Sequence, residues 1–411
     1  MVTKDVDAVS ERLVVDVGPV AHGGHCVARL NGQVVFVRHA LPGEQVRIKI
    51  TERNKRFLRA DAVEVLRAAP GRVAPPCDLA GVCGGCDFQH ASLDTQRALL
   101  TEVVREQLER LAGITWAGEV EAVEPTLGWR TRMAWAVTPD GRPGLRRHRS
   151  HDVVPVDVCP IAHPDLPDVT GQRWDAATVE AIVSSTGERM LVTDASIADD
   201  TEAAVGGVVA DDGTVRGGSA HLTERVHDRD FRVTGSGFWQ VHPAAAETLV
   251  DAVRAVADVR RGDTVLDLYA GVGLFTSFLA DAAGPTGQVL SVEADRGGHA
   301  DARRNLHDRP TVRLVADTTE RALTAGQLGQ QADVVVLDPP RSGAKHAVAG
   351  IAALRPRCIV YVACDPAAMS RDVASWKEHG YVLTDLRAFA LFPMTHHVEC
   401  VAVLERTELP Q

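Results

Sequence analysis

The sequence predicts a multidomain α/β protein: a small N-terminal β-barrel, a central α+β segment, and a C-terminal parallel sheet wound with helices on both faces. Three observations carry this. A length of 411 residues exceeds what one ordinary core supports. The stretch from Arg12 to Leu66 alternates apolar and polar residues in short runs separated by turn signals. After Phe238 the pattern changes to apolar runs spaced by helical segments, which is how buried parallel strands read.

In the first region, Leu13-Val-Val-Asp-Val, Cys26-Val-Ala-Arg-Leu, Gln33-Val-Val-Phe-Val and Val46-Arg-Ile-Lys-Ile are the strand candidates, with Asn31-Gly32 and Pro42-Gly43 as turns. The barrel is assigned to 8–66. A Pro- and Gly-rich linker, Pro70 to Pro76, leads into Cys77, and Leu93 to Leu111 has helical spacing. The central region, 67–234, carries strands interrupted by acidic, Ala-rich and Gly-rich stretches. In 235–411, Thr264-Val-Leu-Asp-Leu, Gln288-Val-Leu-Ser-Val, Thr311-Val-Arg-Leu-Val, Ala332-Asp-Val-Val-Val-Leu and Cys358-Ile-Val-Tyr-Val-Ala are buried strands. Strands near Tyr381 to Leu391 and His397 to Leu404, with no long helix between them, form an antiparallel edge.

Hydrophobic content of 45% is globular, and no apolar run reaches membrane-spanning length. The start has no cationic segment leading into an apolar one, so the cytoplasm is the expected compartment. Eight cysteines are too few for a disulfide scaffold; clustered ones in a reducing compartment bind metal or do chemistry. The net charge of −11 argues against a nucleic-acid partner, but it hides two cationic stretches. Arg47, Lys49, Arg53, Lys55, Arg56 and Arg59 form one; Arg130, Arg132, Arg142, Arg146, Arg147 and Arg149 form the other. With 4% aromatic residues, any base stacking rests on a few side chains.

Asp267-Leu-Tyr-Ala-Gly-Val-Gly273 follows a strand and opens a helix. Its glycines admit a cofactor to the backbone, and Glu293 at the end of the next strand is placed to accept hydrogen bonds from ribose hydroxyls. The motif alone fits a dinucleotide or S-adenosylmethionine (SAM); its spacing departs from Gly-x-Gly-x-x-Gly and leans toward SAM. Asp338-Pro-Pro-Arg341 sits at the carboxyl end of the fourth strand, where ligands of open α/β sheets bind. Arg341 stands where an amino-group methyltransferase often has an aromatic ring, which weakens that reading.

Cys364 ends a strand and precedes Asp365-Pro366 and a helix whose N-terminus favours a thiolate. Glu399 lies beside the last strand. A thiol and a carboxylate on the ligand-binding edge are what carbon methylation of a uracil ring requires, because carbon 5 is a poor nucleophile until something adds to carbon 6. Cys26, Cys358 and Cys400 have no such context and read as packing residues. Cys77, Cys83 and Cys86 surround one glycine turn, a strong sign of a metal site with Cys159 as the fourth ligand candidate; zinc and an iron–sulfur cluster are both chemically possible.

Together these motifs resemble the bacterial RNA uridine carbon-5 methyltransferase family, in its branch with an N-terminal TRAM domain, an oligonucleotide-binding-like barrel, and a 4Fe-4S cluster. The resemblance implies a class I methyltransferase domain at 235–411 that forms 5-methyluridine in structured RNA, ribosomal in preference to transfer RNA, through a covalent Cys-uridine intermediate. It implies a nucleophile at Cys364, a base at Glu399, and SAM contacts at Gln240, Tyr269, Glu293, Asp317 and Asp338. It further implies a cluster on Cys77, Cys83, Cys86 and Cys159, and a monomer with no obligate protein partner. The chain departs from the family at His242 and Asp365, where Asn is common, and at Leu274, where a polar residue is common. A non-catalytic RNA-binding iron–sulfur protein would have no use for Cys364 with Glu399, and a small-molecule methyltransferase would not need the barrel or the arginines.

Overall fold

The computed structural model describes residues 13–195, 205–210 and 212–407. Residues 8–12, assigned to the barrel from sequence, lie outside these. Five strands, β1 (Leu13–Ala21), β2 (His25–Leu30), β3 (Gln33–Arg38), β4 (Gln45–Arg53) and β5 (Phe57–Arg67), close into a barrel in the order β1-β2-β3-β5-β4. Inward residues Val15, Val35, Val37, Val46 and Ile48 fill it, following the period-2 alternation. Glu44 is fully buried, and Arg72 holds it with bonds of 2.5 and 2.7 Å from Nε and NH2, tying the linker to the barrel floor. Removing Arg72 would strand the buried Glu44 charge, at a cost of about 3–5 kcal/mol.

Helix α1 (Leu93–Ala112) starts at Ser92, whose hydroxyl accepts the Thr95 amide, and ends at Gly113 in the left-handed region (φ 67°). A short strand, β6 (Val120–Ala122), follows. Although sequence counts both with the central region, α1 and β6 pack on the C-terminal sheet. The apolar face of α1 (Leu99, Leu100, Val103, Val104, Leu108) shares one continuous core with the barrel and the sheet. The barrel is therefore docked, not tethered.

The central region forms a seven-stranded sheet in the order β13-β12-β11-β10-β7-β8-β9. Its strands are β7 (Arg132–Val137), β8 (Pro143–Arg146), β9 (Val153–Pro155), β10 (Thr178–Val183), β11 (Arg189–Val192), β12 (Gly207–Val209) and β13 (Val215–Gly218). The hairpin β14 (His221–Val226) and β15 (Arg229–Thr234) sends Val226, Phe231 and Val233 into the core of the C-terminal domain.

That domain follows the expected alternation: α2 (Ala245–Val256), β16 (Thr264–Leu268), α3 (Leu274–Ala283), β17 (Gln288–Val292), α4 (Arg296–Asn305), β18 (Val312–Val315), α5 (Thr319–Thr324), β19 (Val334–Leu337), α6 (Val348–Ala353), β20 (Cys358–Ala363), α7 (Pro366–Glu378), β21 (Tyr381–Ala390) and β22 (Glu399–Arg406). The sheet order is β18-β17-β16-β19-β20-β22-β21-β6. Strands β18 to β20 are parallel, β22 is antiparallel to both neighbours, and β6 extends the edge by pairing with β21. The order reverses between β17 and β19 about β16, the crevice where open sheets bind ligands.

Candidate active site

Cys364, Glu399, Asp338, Arg341 and Gln240 line one cavity of about 650 Å³ at the carboxyl edge of the sheet, with Trp129, Arg130 and Phe238 on its walls. They arrive from several elements, Asp338 and Arg341 together on the loop after β19. Cys364 follows β20, Asp338 follows β19, and Glu399 opens β22, which pairs antiparallel with β20 so that Ala363 faces Cys400. The adjacent-strand register is what brings a thiol and a carboxylate so far apart in sequence together.

Glu399 is buried, Cys364 and Asp338 are half-buried, and Arg341 is exposed at the rim. Burial pushes the Cys364 thiol up to about 11, reinforced by the charges of Glu399 and Asp338 and opposed by Arg341. The helix N-terminus was expected to favour the thiolate; in this pocket burial and two carboxylates outweigh it. Glu399 is itself held well above the usual carboxylate range by burial and then by Asp338, with Arg341 opposing. Asp338 is raised to about 7 by burial and Asp267. Neighbouring carboxylates cannot both ionise cheaply, which adds to the rise of each.

The expected cofactor loop lies beside it. Gly271 and Gly273 have φ of 55° and 87°, and a Cβ on Gly271 would meet no atom within 4 Å, leaving the backbone open to a bound group. The Gly271 amide donates to Glu293 Oε2 at 2.7 Å, which anchors that carboxylate at the end of β17. Tyr269 (φ 61°) donates its hydroxyl to Glu320 at 3.0 Å, and Asp317 pairs with Arg321 at 3.2 Å. These residues lie at the carboxyl ends of β16, β17 and β18, on the edge where open sheets bind ligands. The departures are placed as well: His242 is buried, stacked on Trp129 and bonded to Pro125 O at 3.0 Å, Leu274 packs in the core, and Asp365 caps α7.

Cys77, Cys83, Cys86 and Cys159 line a second cavity of about 530 Å³. None is in a disulfide. Burial raises Cys86 to about 12 and also raises Cys83 and Cys159. Among the described residues no three His, Cys, Asp or Glu side chains are grouped so as to hold a metal ion, so no metal centre is shown there.

Sequence reasoning missed the connection between the two cavities, which share Gly85, Asp87 and Arg130. Asp87 Oδ2 lies 2.6 Å from His396 Nδ1, and the amides of Asp87 and Phe88 donate to Met394 O at 2.9 Å each. Asp87 is adjacent to Cys86, but nothing in its own context marked it. The cationic stretches also divide. Arg132 is buried against Glu180, and Arg130 faces the cavities rather than an outer surface. Arg47 pairs with Glu64, and Arg59 with Glu52. Arg53, Lys55 and Arg56 remain exposed at the β4–β5 turn, and Arg149 reaches that end of the barrel through Glu52 at 3.8 Å. Next to it, His148 lines the catalytic cavity. The two stretches approach each other through the Arg149–Glu52 pair.

Comparison with known proteins agrees with this layout. The TRAM domain profile matches residues 9–63, and that of the tRNA (Uracil-5-)-methyltransferase family matches 220–407. An RNA methyltransferase of Streptomyces avermitilis is 46% identical, covering 97% of this chain and 99% of its own length. The chain belongs to the SAM-dependent RNA methyltransferases. An RNA methyltransferase of Bifidobacterium longum is 37% identical over 94% of this chain and 95% of its own. The crystal structure of Pyrococcus abyssi tRNA (uracil-54, C5)-methyltransferase, in complex with S-adenosyl-L-homocysteine, superimposes with a TM-score of 0.71 over 95% of this chain and 99% of that one. At 24% identity it bears on the fold alone. Among the described residues no helix of this methyltransferase is long and apolar enough to cross a membrane.

Proposed function

We propose that this RNA methyltransferase forms 5-methyluridine through a covalent adduct on Cys364, with Glu399 as the base. The observation that carries the reading is the convergence of Cys364, Glu399, Asp338 and Arg341 on one cavity that also holds Gln240 from the cofactor side. A uridine leaves its stack and enters, excluding water. The Cys364 proton passes to the Asp338–Glu399 carboxylates, Sγ bonds to carbon 6, and the ring electrons move onto oxygen 4. Arg341, which opposes the thiol's and Glu399's hold on their protons, favours the charged forms. Bound SAM supplies an electrophilic methyl group to carbon 5. After passing its proton to bulk water, Glu399 takes the carbon-5 proton; the electrons of that C–H bond re-form the carbon 5–carbon 6 double bond, and the Cys364 thiolate departs and regains its proton from Glu399. Its high proton affinity suits that task.

RNA phosphates are assigned to the cationic rim of Arg53, Lys55, Arg56 and Arg149. The four cysteines of the second cavity are assigned to a 4Fe-4S cluster, which their thiolates would hold. Asp87, which lines both cavities, would join such a group to the pocket wall. Anaerobically purified protein is expected to contain about four iron and four sulfide per chain; stoichiometric zinc without sulfide contradicts the cluster. The working form is taken as a monomer in the cytoplasm, with ribosomal RNA as the substrate favoured by the family resemblance. Mapping 5-methyluridine in ribosomal and transfer RNA from a strain lacking the protein tests the reading: one ribosomal site should disappear, a lost transfer-RNA site would reassign the substrate, and an unchanged map would overturn the function.

A further inference from the structure

The turn between β1 and β2 of the barrel reaches the catalytic edge of the sheet. His22 Nε2 lies 3.2 Å from Asp365 Oδ2, the residue after the nucleophile. Asp365 divides its carboxylate between two partners, because Oδ1 accepts the Ala368 amide at 2.7 Å and so caps α7. The same turn bears on the other catalytic loop. Gly24 packs so closely that a Cβ there would lie 2.7 Å from Cβ of His396 and 3.1 Å from that of Asp87. One tight turn, with Gly23 and Gly24 at φ of 94° and 77°, thus touches both the segment after Cys364 and the segment before Glu399.

We propose that the β1–β2 turn is a positioning element for the nucleophile, with His22 holding Asp365 and, through it, the backbone that carries Cys364. The proposal rests on the Cys364 adduct reading. A half-exposed pair contributes little to stability, but its geometric effect is a different quantity. Reaction rates fall steeply when a group is displaced by about 1 Å, up to about 10²-fold. The barrel can serve as the fixed point because its core runs unbroken through α1 into the sheet. Asp365 also explains its own identity: an Asn there would keep the cap but replace the charged acceptor facing His22 with an amide.

The test is the rate of adduct formation on 5-fluorouridine RNA in SAM-loaded holoenzyme, measured with RNA affinity and SAM affinity. His22→Leu should slow adduct formation about tenfold while both affinities stay within about twofold. His22→Gln, whose amide can donate to Asp365, should restore most of the rate. Adding His22→Leu to Asp365→Asn should cost less than it does alone, since both changes cut the same link. An unchanged rate in His22→Leu overturns the proposal, as do multiplicative losses in the double variant. A fall in RNA affinity that accounts for the rate also overturns it, by making His22 an RNA contact. If the wild type forms no adduct, it is the Cys364 reading that fails instead.

Discussion

Cys364 and Cys86 occupy adjoining cavities, and burial pushes both thiols up, to about 11 and about 12. What else acts on them differs. Around Cys364 the further influences are Glu399, Asp338 and the opposing Arg341. Around Cys86 they are a bond from Gln89, which lowers it, and then Cys159 and Cys83, which raise it. A thiol among carboxylates and a guanidinium can release and regain its proton within a cycle. Thiols gathered among thiols raise one another, and a shared cation would favour their thiolates. The difference teaches that a raised thiol is not thereby inert; its neighbours decide what it is for.

If that division holds, each cavity fails in its own way. Cys364→Ala should lose methyl transfer by at least about 10⁴-fold, with no adduct and with iron content unchanged. Cys86→Ala should lose iron yet keep an alkylatable Cys364, as read by peptide mass after iodoacetamide. Iron loss in Cys364→Ala would break the comparison.

Glu399→Gln should retain addition and methyl transfer but stall at proton removal, so a denaturation-resistant protein–RNA complex should build up on a gel. Rapid turnover without the complex would assign the base elsewhere.

Reversing Arg53, Lys55 and Arg56 to Glu should weaken RNA binding by about tenfold or more and reduce the slope of log affinity against log salt by about 3, leaving SAM affinity unchanged. Parallel loss of both affinities would indicate misfolding rather than lost phosphate contacts.

The smallest expected effect concerns pH. Because the Glu399 charge raises the Cys364 thiol, removing it in Glu399→Gln should move the alkylation profile of Cys364 to lower pH. In the wild type the thiolate fraction, and with it the adduct rate, should climb as pH rises toward about 11. A shift to higher pH in the variant would contradict the assigned electrostatics.

The C-terminal sheet was legible because its parallel strands, from Thr264 to Ala363, are short and mostly apolar, and alternate with helical segments. That Cys364 and Glu399 share one cavity was legible because both stand at strand ends on the ligand-binding edge of the sheet. The central strands were not, since many are only three or four residues long and pair irregularly, as at Val208 and Val209. Charge counting also misled at Arg132, which reads as a surface cation until its partner Glu180 is seen on β10. The contacts made by His22 and by Asp87 cross hundreds of residues, and no local period or spacing records them.

The covalent step on Cys364 is the centre of the account, and intact-mass and peptide analysis of wild-type protein incubated with SAM and 5-fluorouridine RNA tests it most directly. Fluorine cannot leave as a cation, so the account predicts a stable 1:1 adduct whose nucleotide maps to the peptide containing Cys364 and whose ring carries the transferred methyl group. An adduct on another residue, or full methylation of normal substrate by Cys364→Ala, would contradict it.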